Sequence, residues 1–165
     1  MLDLIERASA GLSRLLLWFA GAGLVAMTGI IGWQVFARYV LSASPAWAEQ
    51  AALVLMIWYI TLAAAVGVRE GFHIRIGLVQ DNVGPKAARA LRLICQLVVA
   101  AIGVALAVWG AELVARTWHH TIPTLGLPRG FAYVPLPVAG GLIVFFALEH
   151  IAADLAGRTV RPLWN

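Results

Sequence analysis

Four stretches of this chain, 15–37, 50–68, 93–111 and 130–148, contain no Asp, Glu, Lys or Arg. Each runs about 19 to 23 residues, which at 1.5 Å per helical residue crosses a hydrocarbon core of about 30 Å. One charge at mid-bilayer costs roughly 2.5–3.5 kcal/mol, so charge-free windows of this length are the mark of helices selected for lipid. The windows predict an all-α membrane protein with four transmembrane helices. In a chain of 165 residues they leave no room for a second domain of ordinary size. The whole chain, 1–165, therefore reads as a single four-helix membrane domain with those four spans.

Composition agrees: 12% of residues are charged, against about 25% in soluble domains. The formal net charge of +4 does not point to nucleic acid, because the basic residues flank the spans instead of forming one basic face. Cys95 lies inside the third span and is the sole cysteine. It can form no internal disulfide and reads as a small packing residue. The first apolar run is longer than a signal-peptide core, and Arg7 and Arg14 precede it, so it reads as a retained anchor.

Of the twelve Lys and Arg residues, nine would share one side. They are Arg7 and Arg14 before span one, Arg69, Arg75, Lys86, Arg89 and Arg92 between spans two and three, and Arg158 and Arg161 in the tail. The other side would hold Arg38, Arg116 and Arg129. The positive-inside rule then puts both termini and the second loop in the cytoplasm. Trp33, Tyr39, Trp47, Trp109, Trp118 and Tyr133 fall near the outer boundary, where amphipathic rings favour the headgroup level. Trp58 is mid-span and reads as a packing position.

The second loop mixes apolar and basic residues over 72–79. It predicts a short amphipathic segment on the inner surface between helices 2 and 3. Gly84-Pro85 is a helix-start signal, with Pro85 at the first helical position. Pro123, Gly126, Pro128, Gly130, Pro135 and Pro137 make the opposite end of spans three and four irregular. Freed backbone groups there need protein or water, since lipid cannot satisfy them.

No catalytic constellation stands out, and no cofactor or metal site is expected. His73 and His150 sit at inner ends and His119 and His120 in an outer loop, whereas a haem held in a helical bundle takes facing histidines within the spans. Adjacent histidines share no helix face, and no Cys or carboxylate cluster completes a metal site. Transporters carry ionisable groups within the membrane, and the four cores here have none. Their polar residues Thr28, Gln34, Thr61 and Gln96 read as contacts between helices. Small residues four apart, such as Ala22/Ala26, Ala63/Gly67, Gly103/Ala107 and Ala107/Ala111, permit close helix approach. They serve either packing within the unit or docking of a larger partner.

One pattern is more specific. It comprises Phe36-Ala37-Arg38-Tyr39, Trp47-Ala48-Glu49-Gln50, Trp58, the run from Gly67 to Ile76 containing Arg69 and His73, Thr121-Ile122-Pro123, and Tyr133 to Gly140 with Pro135 and Pro137. Together these resemble the small, DctQ-like membrane subunit of TRAP (tripartite ATP-independent periplasmic) transporters. Glu49-Gln50 departs from the two consecutive acids common there, and Gly77 stands where an Asp is frequent.

The resemblance implies a multi-pass protein of the bacterial inner membrane and not an enzyme. It implies two partners, a large multi-span permease subunit and a periplasmic substrate-binding protein, besides membrane lipids. The large subunit would carry an organic acid with sodium while this chain braces it. Arg38, Trp47, Glu49, Trp58, Arg69, His73, Pro123, Pro135 and Pro137 are the candidate structural or interface residues. Arg38 and Glu49 flank one turn and either pair across it or stay solvated. Arg69 and His73 either hold the inner loop to lipid phosphate or the partner, or serve as plain positive-inside anchors. Two other readings are a haem-binding or other redox membrane subunit and an autonomous small transporter.

Overall fold

The computed structural model describes residues 2–71, 84–157, 160 and 163, with side chains from residue 6 and, in the third helix, from residue 87. The described residues form helices α1 (Leu2–Tyr39), α2 (Ala46–Arg69), α3 (Pro85–Thr117), α4 (Arg129–Tyr133) and α5 (Pro135–Leu155). Four stretches are long and apolar enough to cross a membrane: Glu6–Tyr39, Ala46–Arg69, Ala87–Thr117 and Arg129–Leu155. The protein is an all-helical, multi-pass membrane protein. The helices run past the charge-free windows at both ends, because a helix stops at a turn signal and not where its apolar run ends. The amphipathic segment expected over 72–79, His73 included, lies outside the described residues.

Local sequence explains the boundaries. Residues 1–44 contain no proline, so nothing breaks α1 until Ser42 takes a left-handed φ of 52°. Pro45, extended at φ −71° and ψ 114°, then caps α2. That helix ends at Arg69, Glu70 and the left-handed Gly71 (φ 72°). There Glu70 N–H donates to the Val66 carbonyl and Gly71 N–H to that of Val68, and the absent Cβ makes the turn cheap. Gly84 caps α3 and Pro85 opens it, as the dipeptide predicts. Between α3 and α4, Ile122 N–H bonds the Leu127 carbonyl at 2.8 Å and Arg129 N–H that of His120 at 2.6 Å. The proline-rich loop is thus a tight hairpin satisfying its own backbone, with Ile122 buried beneath it.

Spatial order differs from chain order. Helix α1 packs on α2, α2 on α5, and α5 on α3. Helix α3 makes no comparable contact with α1 or α2 among the described residues. The four helices form a row, where a compact four-helix domain would close α1 against its neighbour across the core. The core is correspondingly small: Ala65, Val68, Ala139, Ile143 and Phe146, flanked by Leu12, Val99, Leu106 and Leu142. Many large apolar side chains on α1 and α3 face outward, as helices in lipid permit.

The α3–α5 contact depends on small residues. A Cβ built on Gly140 would lie 2.5 Å from Ala107 N and 2.7 Å from Gly103 O. The Gly103/Ala107 pair is therefore used inside the unit, where two backbones touch. Gly110 receives Leu136 and Pro137 in the same way, with Pro137 Cδ 3.0 Å from its would-be Cβ.

Candidate functional site

The helices hold both ends of the described chain at one end of the row, here the termini end. The turns 40–45 and 118–128 lie at the other, the hairpin end. Three polar constructions tie the helices together, two at the termini end and one at the hairpin end.

At the termini end, Arg69 closes α2 with its side chain wholly buried. Its Nη1 pairs with Glu70 Oε1 at 3.0 Å, and Glu70 is buried as well. Its Nε donates to Ser9 Oγ on α1 at 3.2 Å. The Ser9 hydroxyl lies 2.6 Å from Glu149 Oε1 on α5 and 3.0 Å from the Glu6 carbonyl. Having one proton, it donates to the carboxylate, the stronger acceptor. His150 Nε2 lies 2.8 Å from the Arg69 carbonyl. A carbonyl only accepts, so that ring nitrogen carries the proton. The Leu163 N–H donates to Glu70 Oε2 at 2.8 Å, bringing the tail onto the pair. One arginine thus joins α1, α2 and α5. Arg69 Nη2, Ser13 Oγ and Glu149 Oε2 are buried beside this junction with no partner among the described residues.

The neighbouring contact binds α3 to α5. Arg92 Nε lies 3.2 Å from Asp154 Oδ2, and Arg89 Nη2 donates to the Asp154 and Leu155 carbonyls at 2.9 and 3.3 Å. Positive charge at a helix C-terminus is favoured by the dipole and by the last unpaired carbonyls.

At the hairpin end the focus is Trp58. Pro135 has no N–H, so the carbonyl four residues back, on Phe131, loses its i+4 donor and keeps only a long bond of 3.4 Å from the Val134 N–H. The Trp58 indole N–H reaches that carbonyl at 3.3 Å. Its ring packs on Phe131 and Phe19, with centroids 5.1 and 6.2 Å away. A proline break in α4–α5 and a mid-span tryptophan on α2 thus form one device. In lipid a weakly bonded carbonyl has no water to turn to.

Of the other residues singled out, Arg38 hydrogen-bonds Ser44 Oγ at 3.3 and 3.4 Å across the first turn, and Glu49 is not its partner. The extended Ser44-Pro45 step spaces α2 from α1. It leaves Glu49 exposed in the first turn of α2, where the helix dipole favours an acid. Trp47 and Pro123 are exposed, Pro135 is fully buried and Pro137 lies against α3. Thr28 and Thr61 donate to carbonyls of their own helices, Leu24 and Ile57. They do not bridge helices, because a threonine hydroxyl reaches its own i−4 carbonyl first. Gln96 is buried with both amide atoms unpartnered.

Ser9, Glu70 and Glu149 escaped the reading of charge-free windows because they lie outside them, and His150 was placed only at an inner end. The available signal was Ser9 and Ser13, four apart on one face of α1, together with Glu70 two positions beyond the second window and Glu149 directly after the fourth. Among the described residues no three His, Cys, Asp or Glu side chains come together as metal ligands.

The family model of the DctQ component of tripartite ATP-independent periplasmic transporters matches residues 27–157. Similar proteins include the sialic acid TRAP transporter small permease protein SiaQ of Vibrio cholerae. It is 27% identical over 128 residues, covering 78% of this chain and 74% of that protein. The C4-dicarboxylate TRAP transporter small permease protein DctQ of Rhodobacter capsulatus is 29% identical over 105 residues, 62% of this chain and 46% of its own length. The isethionate TRAP transporter permease protein DctMQ of Oleidesulfovibrio alaskensis is 27% identical over 148 residues. Those cover 85% of this chain but only 23% of that protein.

Proposed function

The chain belongs to the DctQ component family of tripartite ATP-independent periplasmic transporters, and from that membership we propose that it braces a large permease subunit of the bacterial inner membrane. In this reading the large subunit moves an organic acid with sodium, and a periplasmic binding protein delivers the solute. This chain supplies no step of the passage itself. Both termini face the cytoplasm, which puts the Arg69 junction and the Arg92–Asp154 clamp at the cytoplasmic boundary.

The observation that carries the reading is the placement of charge. Arg69, Glu70 and Glu149 gather at one end, and the four windows between the ends have no ionisable carboxylate or base. A pathway for an anion and sodium uses polar groups at mid-depth. Here the buried polar groups join helices to one another, which suits a part that stays fixed while another moves. Support for a large companion comes from the DctMQ relative, of which this chain matches less than a quarter. The relatives named for sialic acid, isethionate and C4-dicarboxylate support an organic acid as cargo.

The test is uptake into proteoliposomes containing this chain, a large multi-span subunit encoded beside it, or both. Binding protein and an inward sodium gradient are supplied, with sialic acid, isethionate and succinate as probes. Accumulation of one probe only when both subunits are present supports the proposal. Saturable accumulation by this chain alone refutes it.

A further inference from the structure

The outer edge of α1, opposite its contact with α2, carries a pattern that bracing does not explain. Arg7, Gly11, Arg14, Trp18, Gly21, Val25, Gly29, Gly32 and Phe36 follow one another at three- and four-residue steps. At 100° per residue these steps fall within one narrow stripe. The partners of α2 lie on the other side of the helix: a Cβ on Gly23 would meet Tyr59 at 3.1 Å, and Ala20 and Ala37 are buried.

Along the stripe, a Cβ on Gly11, Gly21, Gly29 or Gly32 meets nothing within 4 Å. Trp18 is 76% exposed. Arg7 and Arg14 are exposed, and neither guanidinium has a hydrogen bond or ion pair among the described residues. Every other arginine described at this end is engaged: Arg69 with Glu70 and Ser9, Arg89 and Arg92 with the end of α5.

We propose that this stripe is a binding site for an anionic phospholipid, its phosphate on Arg7 and Arg14 and one acyl chain running over Gly21 towards Gly29. The dimensions agree. Arg7 and Arg14 stand about 10 Å apart along the axis, and Gly29 lies about 16 Å beyond Trp18, close to the half-thickness of a core of about 30 Å that one acyl chain fills. Trp18, one turn beyond Arg14, sits where an indole favours the boundary of headgroup and hydrocarbon. Paired basic side chains beside an apolar channel are the chemistry that selects an anionic headgroup over a zwitterionic one.

A transmembrane helix fits this edge poorly. Close helix packing uses small residues every four positions. Here Val25 stands between Gly21 and Gly29, and Trp18 blocks the row from below. The hydroxyl beside the glycines, on Thr28, is turned back to the Leu24 carbonyl. A flexible chain follows the shallow, uneven groove that a rigid helix would bridge. The site needs no assumption about transport and stands or falls separately from the bracing role.

Native mass spectrometry of the full-length chain, released from nanodiscs of phosphatidylglycerol mixed with phosphatidylcholine, tests the site. Wild type should retain one phosphatidylglycerol preferentially. The R7Q/R14Q variant should lose that preference by roughly tenfold to thirtyfold. The R129Q variant, at the other end, should not change it, and far-UV circular dichroism should show unaltered helix content in all three. A photo-crosslinker at Gly29 should label lipid. Equal retention of the two lipids by wild type, an unchanged preference in R7Q/R14Q, or a Gly29 crosslink to a second copy or to the large subunit overturns the proposal.

Discussion

Replacing Arg69 by methionine tests the termini-end junction most directly. Both side chains of the Arg69–Glu70 pair are 0% exposed, with nitrogen and oxygen 3.0 Å apart. At an effective dielectric of about 20 their attraction is about 5 kcal/mol before desolvation is subtracted. The net value of the pair is therefore modest, but the loss on removing one member is not. Arg69→Met keeps the volume, strands the Glu70 carboxylate and takes a donor from Ser9, which should cost about 3–5 kcal/mol. Glu70→Gln still offers Leu163 an acceptor and leaves Arg69 near Glu149 through Ser9, so about 1–3 kcal/mol is expected. The double variant strands no charge of the pair, and the coupling energy should reach about 2 kcal/mol or more. Reversible unfolding of the purified chain in mixed micelles of increasing sodium dodecyl sulfate, followed by circular dichroism, measures all three. A cost for Arg69→Met below about 1 kcal/mol, or costs that add to within about 0.5 kcal/mol, would show that the pair is not the joint described here.

The same titration checks the remaining contacts. Gly140→Ala puts a methyl 2.5 Å from Ala107 N and 2.7 Å from Gly103 O. Backbone cannot swing away, so a net loss of about 1–3 kcal/mol is expected despite better helix propensity. Gly141→Ala, with nothing within 4 Å, should be neutral or stabilise by up to about 1 kcal/mol; equal effects at the two positions would contradict the close crossing. Gln96→Leu removes a buried amide that has no partner and should stabilise by about 1–2 kcal/mol, so a clear loss would mean the amide is engaged. Trp58→Phe keeps the ring and loses the N–H, at a cost of about 1 kcal/mol. In a Pro135→Ala background the Phe131 carbonyl regains a helical donor and that cost should vanish; an unchanged cost would separate Trp58 from the proline break. Asp154→Asn weakens a pair that is partly exposed and should cost no more than about 1 kcal/mol, with a larger loss pointing to stronger burial in the membrane.

Legibility followed the range of the interactions involved. The start of α3 was readable at Gly84-Pro85, because capping and proline geometry act within a few residues. Trp58 could be read as a packing residue. Its bond to Phe131 could not, since the two are 73 positions apart and the carbonyl is freed by a third residue, Pro135. Proximity in sequence left Arg38 and Glu49 either paired or solvated, and the turn geometry gives Arg38 to Ser44. The small-residue pairs showed that close approach was possible without showing where, and only Gly140 opposite Gly103 and Ala107 assigns one of them.

Four spans follow from the order of residues alone, because lipid rejects charge at every position of a helix independently of its neighbours. The row α1–α2–α5–α3 and the junction of Ser9, Arg69 and Glu149 belong to the tertiary structure. In lipid the apolar surface of one helix is no better buried against another helix than against acyl chains. Neighbours are therefore selected by backbone contact at glycine and by a few shared polar atoms, whose partners lie 60 to 140 residues apart.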